Sequence, residues 1–128
     1  MLNHIGITIK DVSEVENFYQ NILGMKIVKQ FTINEDLSNQ IFQINKEIEV
    51  FLMQKDDLFF ELFIDENPVY KSYDHICINV HSRNNLIKQA ENNNYPCVII
   101  PRENFDLVFV KDKSNNIFEV KELGLNKK

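Results

Sequence analysis

The sequence predicts an α+β fold made of two tandem βαβββ units within a single domain, residues 1–128. Composition sets the class, because 44% hydrophobic and 26% charged residues in a chain of 128 are ordinary values for one globular domain. A repeat sets the organisation: H-I-G-I-T-I, starting at His4, is echoed by H-I-C-I-N-V, starting at His75, at an offset of 71 residues. We therefore expect a first unit over residues 1–64 and a second over residues 73–122, with the strands in a curled mixed sheet around a cleft.

The first unit opens with a strand and a helix. Apolar residues alternate from Ile5 to Ile9, which indicates a half-buried strand. Asp11 or Ser13 is a suitable cap for a helix that ends at Gly24. The apolar residues of this helix recur at helical spacing: Val12, Val15, Phe18, Tyr19, Ile22 and Leu23. Three further strands are predicted over residues 25–33, 47–54 and 58–64, with a polar stretch that could form a short helix at 34–46 and a turn at 55–57.

The second unit repeats this order after a linker over residues 65–72, which contains Pro68. Ser82 is a suitable cap for a helix that carries Leu86, Ile87 and Ala90 on one face. Strands are predicted over residues 73–80, 95–100, 106–111 and 116–121, with turns at 92–94 and 112–115.

Charge and hydropathy exclude some classes of binding partner and indicate the cellular location. The net charge is -5 and no basic cluster is present, so we expect neither nucleic acid nor an anionic membrane as a partner. The first ten residues lack the basic region and the small-residue cleavage site of a signal peptide, and no stretch approaches the ~18 apolar residues of a membrane span. We expect a cytoplasmic protein in which Cys77 and Cys97 are buried free thiols rather than a disulfide or a metal pair.

Two histidines and two glutamates break the apolar strands in matching places. Strand alternation sets His4 and His75 on the face opposite the isoleucines, while Glu61 and Glu119 each interrupt a strongly apolar strand. An ionised Glu in such a strand is costly unless a cation or a donor meets it. Imidazole and carboxylate ligands suit Zn, Ni, Co, Mn or Fe(II), and two of each would neutralise a divalent ion. The four residues therefore predict a metal site.

Each of these residues also has a plain structural interpretation. His4 alone would be an exposed terminal histidine, and His75 a core histidine with a satisfied hydrogen bond. Glu61 or Glu119 alone would lie on the wet face of an amphipathic strand. The repeat favours the metal site, because the plain interpretation needs four independent coincidences at corresponding positions of a duplicated fold.

Several segments resemble one protein superfamily over essentially the whole chain. The opening L-N-H-I-G-I-T-I-K-D-V-S-E-V-E-N-F-Y-Q-N-I-L-G-M-K-I-V is similar to the first unit of the vicinal oxygen chelate superfamily, notably at F-Y and L-G-M. F-F-E-L-F, D-H-I-C-I-N-V and N-I-F-E-V-K-E-L resemble its later motifs. The superfamily includes glyoxalase I, methylmalonyl-CoA epimerase, extradiol dioxygenases, fosfomycin-resistance enzymes and bleomycin-binding proteins.

The resemblance implies a metal-dependent enzyme. By position, His4, Glu61, His75 and Glu119 would be the metal ligands, and Glu119, with Glu61 as the second candidate, would be the catalytic base. This set is more similar to glyoxalases than to the two-His, one-Glu pattern of the fosfomycin-resistance enzymes. It implies a lyase or isomerase that converts a small α-hydroxycarbonyl compound, or its thiol adduct, through a metal-stabilised enediolate. The resemblance also implies a homodimer.

Departures from the family pattern leave two alternatives open. The usual D-P-D-G turn is replaced by Asp112 to Asn116, where Asn can adopt the left-handed conformation. The connection over residues 101–106 is shorter than the segment that helps glyoxalases and epimerases hold glutathione or coenzyme A. Arg102 and Lys121 are the nearby cations that could anchor a substrate, although solvated surface charges are the favoured interpretation of both. The alternatives are an acyl-CoA epimerase and a metal-free, bleomycin-resistance-type protein that binds an aromatic drug between some of its 10 Phe and 4 Tyr side chains.

Overall fold

Residues 3–68 and 75–123 are described by the structure, a computed structural model in which the chain divides into two units, Met1–Val69 and Tyr70–Lys128. Each unit holds a four-stranded mixed sheet with helices, so the predicted α+β class with tandem βαβββ units is confirmed. The predicted strand start at residues 73 and 74, half of the linker (residues 69–72) and Leu2 lie outside the described residues.

The four strands of the first unit, numbered along the chain, lie in the sheet in the order first, fourth, third, second. The first strand runs parallel to the fourth, and the other neighbours are antiparallel. Alternation in the first strand buries Ile7 and Ile9 and exposes the residues between them, as predicted. The short helix expected in the polar stretch is present, capped by Asn34, whose side-chain oxygen accepts from the Leu37 N–H. The elements are β1 (Ile5–Ile9), α1 (Val15–Gln20), β2 (Lys26–Ile33), α2 (Glu35–Phe42), β3 (Ile48–Lys55) and β4 (Leu58–Ile64).

Helix α1 differs from the regular α-helix that the spacing predicts. It is π-helical, since the Asn21 N–H donates to the Glu16 carbonyl and the Leu23 N–H to the Phe18 carbonyl. Val12 lies before α1, in the turn where its carbonyl accepts from the Val15 N–H, and it is 47% exposed, so the prediction that it belongs to the buried face is wrong. Gly24, with a left-handed φ of 73°, ends the turn that follows α1 rather than the helix itself, and its N–H donates to the Gln20 carbonyl.

The four strands of the second unit lie in the same order as those of the first unit, and its first strand again runs parallel to its fourth. Ser82 caps its helix as predicted, because its hydroxyl accepts from the Asn85 N–H. Cys77 is exposed, so the expectation that it is buried is wrong: it lies on the same strand face as His75. Cys97 is half-buried, and both thiols are free. The elements are β5 (Ile76–Val80), α3 (Arg83–Asn92), β6 (Cys97–Ile100), β7 (Leu107–Lys111) and β8 (Ile117–Glu122).

The helices of the described residues are all too short or too polar to cross a membrane. The two units differ in the connection between their second and third strands. In the first unit this connection contains α2, whereas residues 101–106 of the second unit join β6 to β7 without a helix.

The turn before β8 is organised by the carboxylate of Asp112, which is 3% exposed. One oxygen accepts from the Ser114 and Asn116 backbone N–H groups, and the other accepts from the Asn116 side-chain amide. Asn115 has a left-handed φ of 69°, so the turn forms without Pro or Gly, as predicted. This turn sets the start of the strand that carries Glu119.

Replacing Asp112 by Ala should therefore destabilise the protein by about 1–3 kcal/mol, because three donors lose a charged acceptor. Urea unfolding followed by circular dichroism measures the loss. The matched control is Asp57→Ala in the exposed turn between β3 and β4, where the change should stay within about 0.5 kcal/mol. Equal effects of the two substitutions would contradict this role of Asp112.

Candidate metal centre

The first unit brings His4 and Glu61 together across a parallel strand pair. Glu61 in β4 lies opposite Gly6 of β1, and His4 stands two residues before Gly6. Residues two apart on a strand share a face, so the imidazole and the carboxylate project from the same side of the sheet. The Nε2 atom of His4 lies 3.2 Å from the Oε1 atom of Glu61.

The second unit builds the same pair from the corresponding strands. Glu119 in β8 lies opposite Cys77 of β5, and His75 stands two residues before Cys77. The Nε2 atom of His75 lies 3.6 Å from the Oε1 atom of Glu119. The ring of Phe109 meets the His75 imidazole edge to face, with centroids 6.5 Å apart. Each unit thus places its predicted histidine beside its predicted glutamate.

The exposure of the two pairs is also matched. The histidine side chains are 41% and 45% exposed, and the glutamate side chains are 24% and 16% exposed. In both units the carboxylate lies deeper and the imidazole faces solvent. Among the described residues of either unit, no group of three or more His, Cys, Asp or Glu side chains forms a metal site. Each unit supplies two donors.

The ring of His4 has a partner at its other nitrogen. Its Nδ1 atom lies 2.9 Å from the side-chain oxygen of Asn3. In the tautomer that donates from Nδ1 to this oxygen, the Nε2 lone pair is turned toward Glu61 and is available to a metal ion. Hydrogen bonds of this kind orient histidines that ligate metals.

The donors fit a divalent transition metal. Two ligands of one ion at about 2.1 Å lie roughly 3.0–3.4 Å apart for ordinary coordination angles, close to the observed nitrogen–oxygen separations. Imidazole nitrogen and carboxylate oxygen together suit Zn, Ni, Co and Mn. Either pair alone would leave coordination positions open on such an ion, as a catalytic site requires.

Polar groups around the second pair set its electrostatics. Lys121 lies two residues after Glu119 on the same face of β8, opposite Asn79. Partial burial, and next the negative charge of Glu119, raise the pKa of the Cys77 thiol, while Lys121 lowers it by less. Cys77 therefore stays a protonated thiol at neutral pH. The other cation considered from the sequence, Arg102, is exposed in the connection between β6 and β7.

Asn3 and Phe63 lie beside the first pair, but neither is among the site residues that the sequence predicts. Asn3 is adjacent to a predicted ligand, and only its side-chain hydrogen bond to His4 distinguishes it. Phe63 was detectable, because it follows Glu61 by two residues and alternation places it on the same face.

Comparison with known proteins agrees with this architecture. Residues 3–109 match the family model described as Glyoxalase/Bleomycin resistance protein/Dioxygenase superfamily. The chain has no significant match among curated proteins.

Solved structures share the fold at low sequence identity. A glyoxalase family protein from Enterococcus faecalis is 16% identical with a TM-score of 0.73, over 94% of this chain and 95% of that chain. A glyoxalase family protein from Bacillus cereus is 11% identical with a TM-score of 0.73, over 94% and 92%. A mutant of the fosfomycin resistance protein FosX from Listeria monocytogenes, complexed with Mn(II) and 1S,2S-dihydroxypropylphosphonic acid, is 17% identical with a TM-score of 0.72, over 94% and 90%. At these identities the likeness establishes the fold, and together with the family match it shows that the chain belongs to the glyoxalase/bleomycin resistance/dioxygenase superfamily.

Proposed function

We propose that the chain is a metal-dependent lyase or isomerase of the glyoxalase type. The observation that carries this proposal is the His–Glu pair built twice, once per unit, on corresponding strands. In the proposal, His4, Glu61, His75 and Glu119 ligate one divalent ion. Its substrate is a small α-hydroxycarbonyl compound or the thiol adduct of one.

The ligand charges support a buried divalent ion. Two carboxylates balance its two positive charges, so the site is neutral overall and its burial is tolerable. A protein that only sequestered a drug would need none of these four residues, and their retention in matched positions disfavours that alternative. An acyl-CoA epimerase would use the same donors, but the short connection at residues 101–106 offers less chain to hold coenzyme A.

The reaction follows from proton transfer by a glutamate. A bound divalent ion would act as a Lewis acid that lowers the cost of negative charge on substrate oxygens. The Glu119 carboxylate takes the proton from the carbon that bears the hydroxyl group and returns it to the adjacent carbonyl carbon, while the hydroxyl proton passes to the former carbonyl oxygen, so no atom is gained or lost. Glu119 suits this role because its side chain is half-buried beside the solvent-facing His75. Glu61 occupies the equivalent place in the first unit and is the second candidate for the base.

Metal binding is the first prediction of this proposal. Untagged protein should hold one transition metal per chain, and titration with Mn(II), Co(II), Ni(II) or Zn(II) should raise the unfolding temperature. The variants His4→Ala and Glu119→Ala should each weaken metal binding at least about 100-fold. Even residues that only hydrogen-bond to a metal ligand contribute about 10–100-fold to metal affinity. Calorimetric titration and elemental analysis measure affinity and stoichiometry.

Matched controls are available for both residue types. His81 is an exposed histidine just after β5, and Glu103 is exposed in the connection between β6 and β7. His81→Ala and Glu103→Gln should leave metal affinity unchanged. Two ions per chain would show that each pair binds its own metal, and the absence of binding would refute the proposal.

Proton transfer is the second prediction. At saturating metal, Glu119→Gln should slow isomerisation of the methylglyoxal hemithioacetal at least about 100-fold, because the amide is not a base. Nuclear magnetic resonance in deuterium oxide follows both the product and deuterium incorporation at carbon. Glu103→Gln again serves as the control. If Glu119→Gln retains full activity while Glu61→Gln loses it, the base is Glu61 rather than Glu119.

A FosX-type activity is a second candidate. It is favoured by the shared fold of FosX bound to Mn(II) and 1S,2S-dihydroxypropylphosphonic acid, and by Lys121, a cation beside Glu119 that could contact a phosphonate. That reaction would add water across the epoxide of fosfomycin. Incubation with Mn(II) and fosfomycin, followed by phosphorus resonance of the diol product, distinguishes it from the isomerase.

A further inference from the structure

The sheet face that carries His4 and Glu61 also carries an aromatic ring. Phe63 follows Glu61 by two residues in β4 and shares its face. A Cβ atom placed on Gly6 would lie 3.2 Å from the Cε2 atom of the Phe63 ring. The ring therefore lies over Gly6, which is the residue opposite Glu61 in the strand register. An apolar surface thus begins one position along the sheet from the candidate metal pair.

A second ring extends this surface. Phe42, the last residue of α2, meets Phe63 edge to face with centroids 5.3 Å apart. Phe42 is nevertheless 45% exposed, so much of its ring is open to a ligand. The position of the ring is fixed by the helix end, because Gln43 adopts a left-handed φ of 61° and its N–H donates to the Asn39 carbonyl.

This surface belongs to the first unit alone. The second unit has Cys77 at the position of Gly6, and its connection at residues 101–106 has no helix to supply a second ring. The four proposed ligands repeat between the units, whereas this pair of rings does not: Lys121 stands at the position of Phe63, and the ring beside the second pair, Phe109, belongs to β7. A feature that is absent from one copy of a duplicated fold is not explained by the fold alone.

We propose that Phe63 and Phe42 form an aromatic subsite that binds an aryl or branched alkyl substituent of the substrate. A compound that places two oxygens at the His4–Glu61 side of the sheet directs its carbon substituent along the same face. Phe63 is the next side chain on this face along β4, and Phe42 lies beyond it. Gly6 is a specificity-determining residue, because a side chain at this position would displace the Phe63 ring. The subsite rests on the proposed function in one respect: that function specifies which two substrate oxygens lie beside His4 and Glu61.

The test uses two probe types on the full chain. Benzyl alcohol added to the metal-free protein should shift the backbone amide resonances of Gly6, Phe42 and Phe63, while 1-propanol should not. On the metal-loaded protein, calorimetry compares benzohydroxamate with acetohydroxamate, which present the same two oxygens. The wild type should bind benzohydroxamate at least fivefold more tightly.

The variant Phe42→Ala should abolish this preference and leave acetohydroxamate affinity unchanged. Its matched control is Ile41→Ala, which removes a 56% exposed apolar side chain about 100° around the same helix and should keep the preference. Phe42 is half-exposed at a helix end, so its variant should fold, and the unfolding temperature verifies this.

The outcomes separate the subsite from the reaction. If metal and acetohydroxamate bind but benzohydroxamate binds no better, the subsite is overturned and the metal site stands. If no metal binds but benzyl alcohol still shifts Phe42 and Phe63, the proposed function fails and the subsite stands as a binding site. If benzyl alcohol causes no shifts at these residues, the subsite is overturned.

Discussion

The parallel pairing of the first and last strands of each unit is the constraint on which the candidate site depends. It places each histidine two residues before the partner of a glutamate, on the same face. Glu61 follows His4 by 57 positions and Glu119 follows His75 by 44 positions, yet the register is identical. The difference of 13 residues is accommodated largely by α2 and its flanking turns, which lie outside the strand pair. Insertions in the chain between the two paired strands therefore leave the geometry of the His–Glu pair unchanged.

The same pairing explains how an apolar strand tolerates a glutamate. Phe60 and Leu62 flank Glu61 and are both fully buried on the opposite, core-facing side. Glu61 itself points away from that core and beside His4, where its charge has a partner. Phe118 and Val120 are buried around Glu119 in the same manner. The hydrophobic character of these strands thus comes from one face, while the other face is free to carry donors.

Duplication and divergence play different roles in this protein. Each unit supplies one His–Glu pair on corresponding strands, so this part of the fold is repeated. The units differ at the residue opposite the glutamate, which is Gly6 in the first and Cys77 in the second, and in the connection between their second and third strands, which contains α2 in the first unit and no helix at residues 101–106 of the second. Membership of a superfamily fixes the fold, and the reaction is decided by such local differences.

The sequence by itself determined the features that depend on neighbouring residues. Alternation along single strands gave the correct faces for His4 and His75, and turn chemistry gave the cap at Ser82 and the left-handed Asn115. These features have a period of two, or involve partners within four residues, so a one-dimensional pattern contains them. The expectation that Cys77 is buried came from the usual burial of free thiols and from the apolar run around it, whereas the same alternation places Cys77 on the face of His75, where it is exposed.

Only the tertiary structure decided the features that join distant segments. The distances from His4 to Glu61 and from His75 to Glu119 depend on strand register, and the contact of Phe42 with Phe63 depends on where α2 ends over the sheet. The π-helical turn of α1 belongs to the same group: the consecutive rings of Phe18 and Tyr19 are both fully buried, and local spacing assumes a regular helix. In each case the conformation is decided by packing between segments that are remote in sequence. The periodicity of neighbouring residues contains no information about such packing.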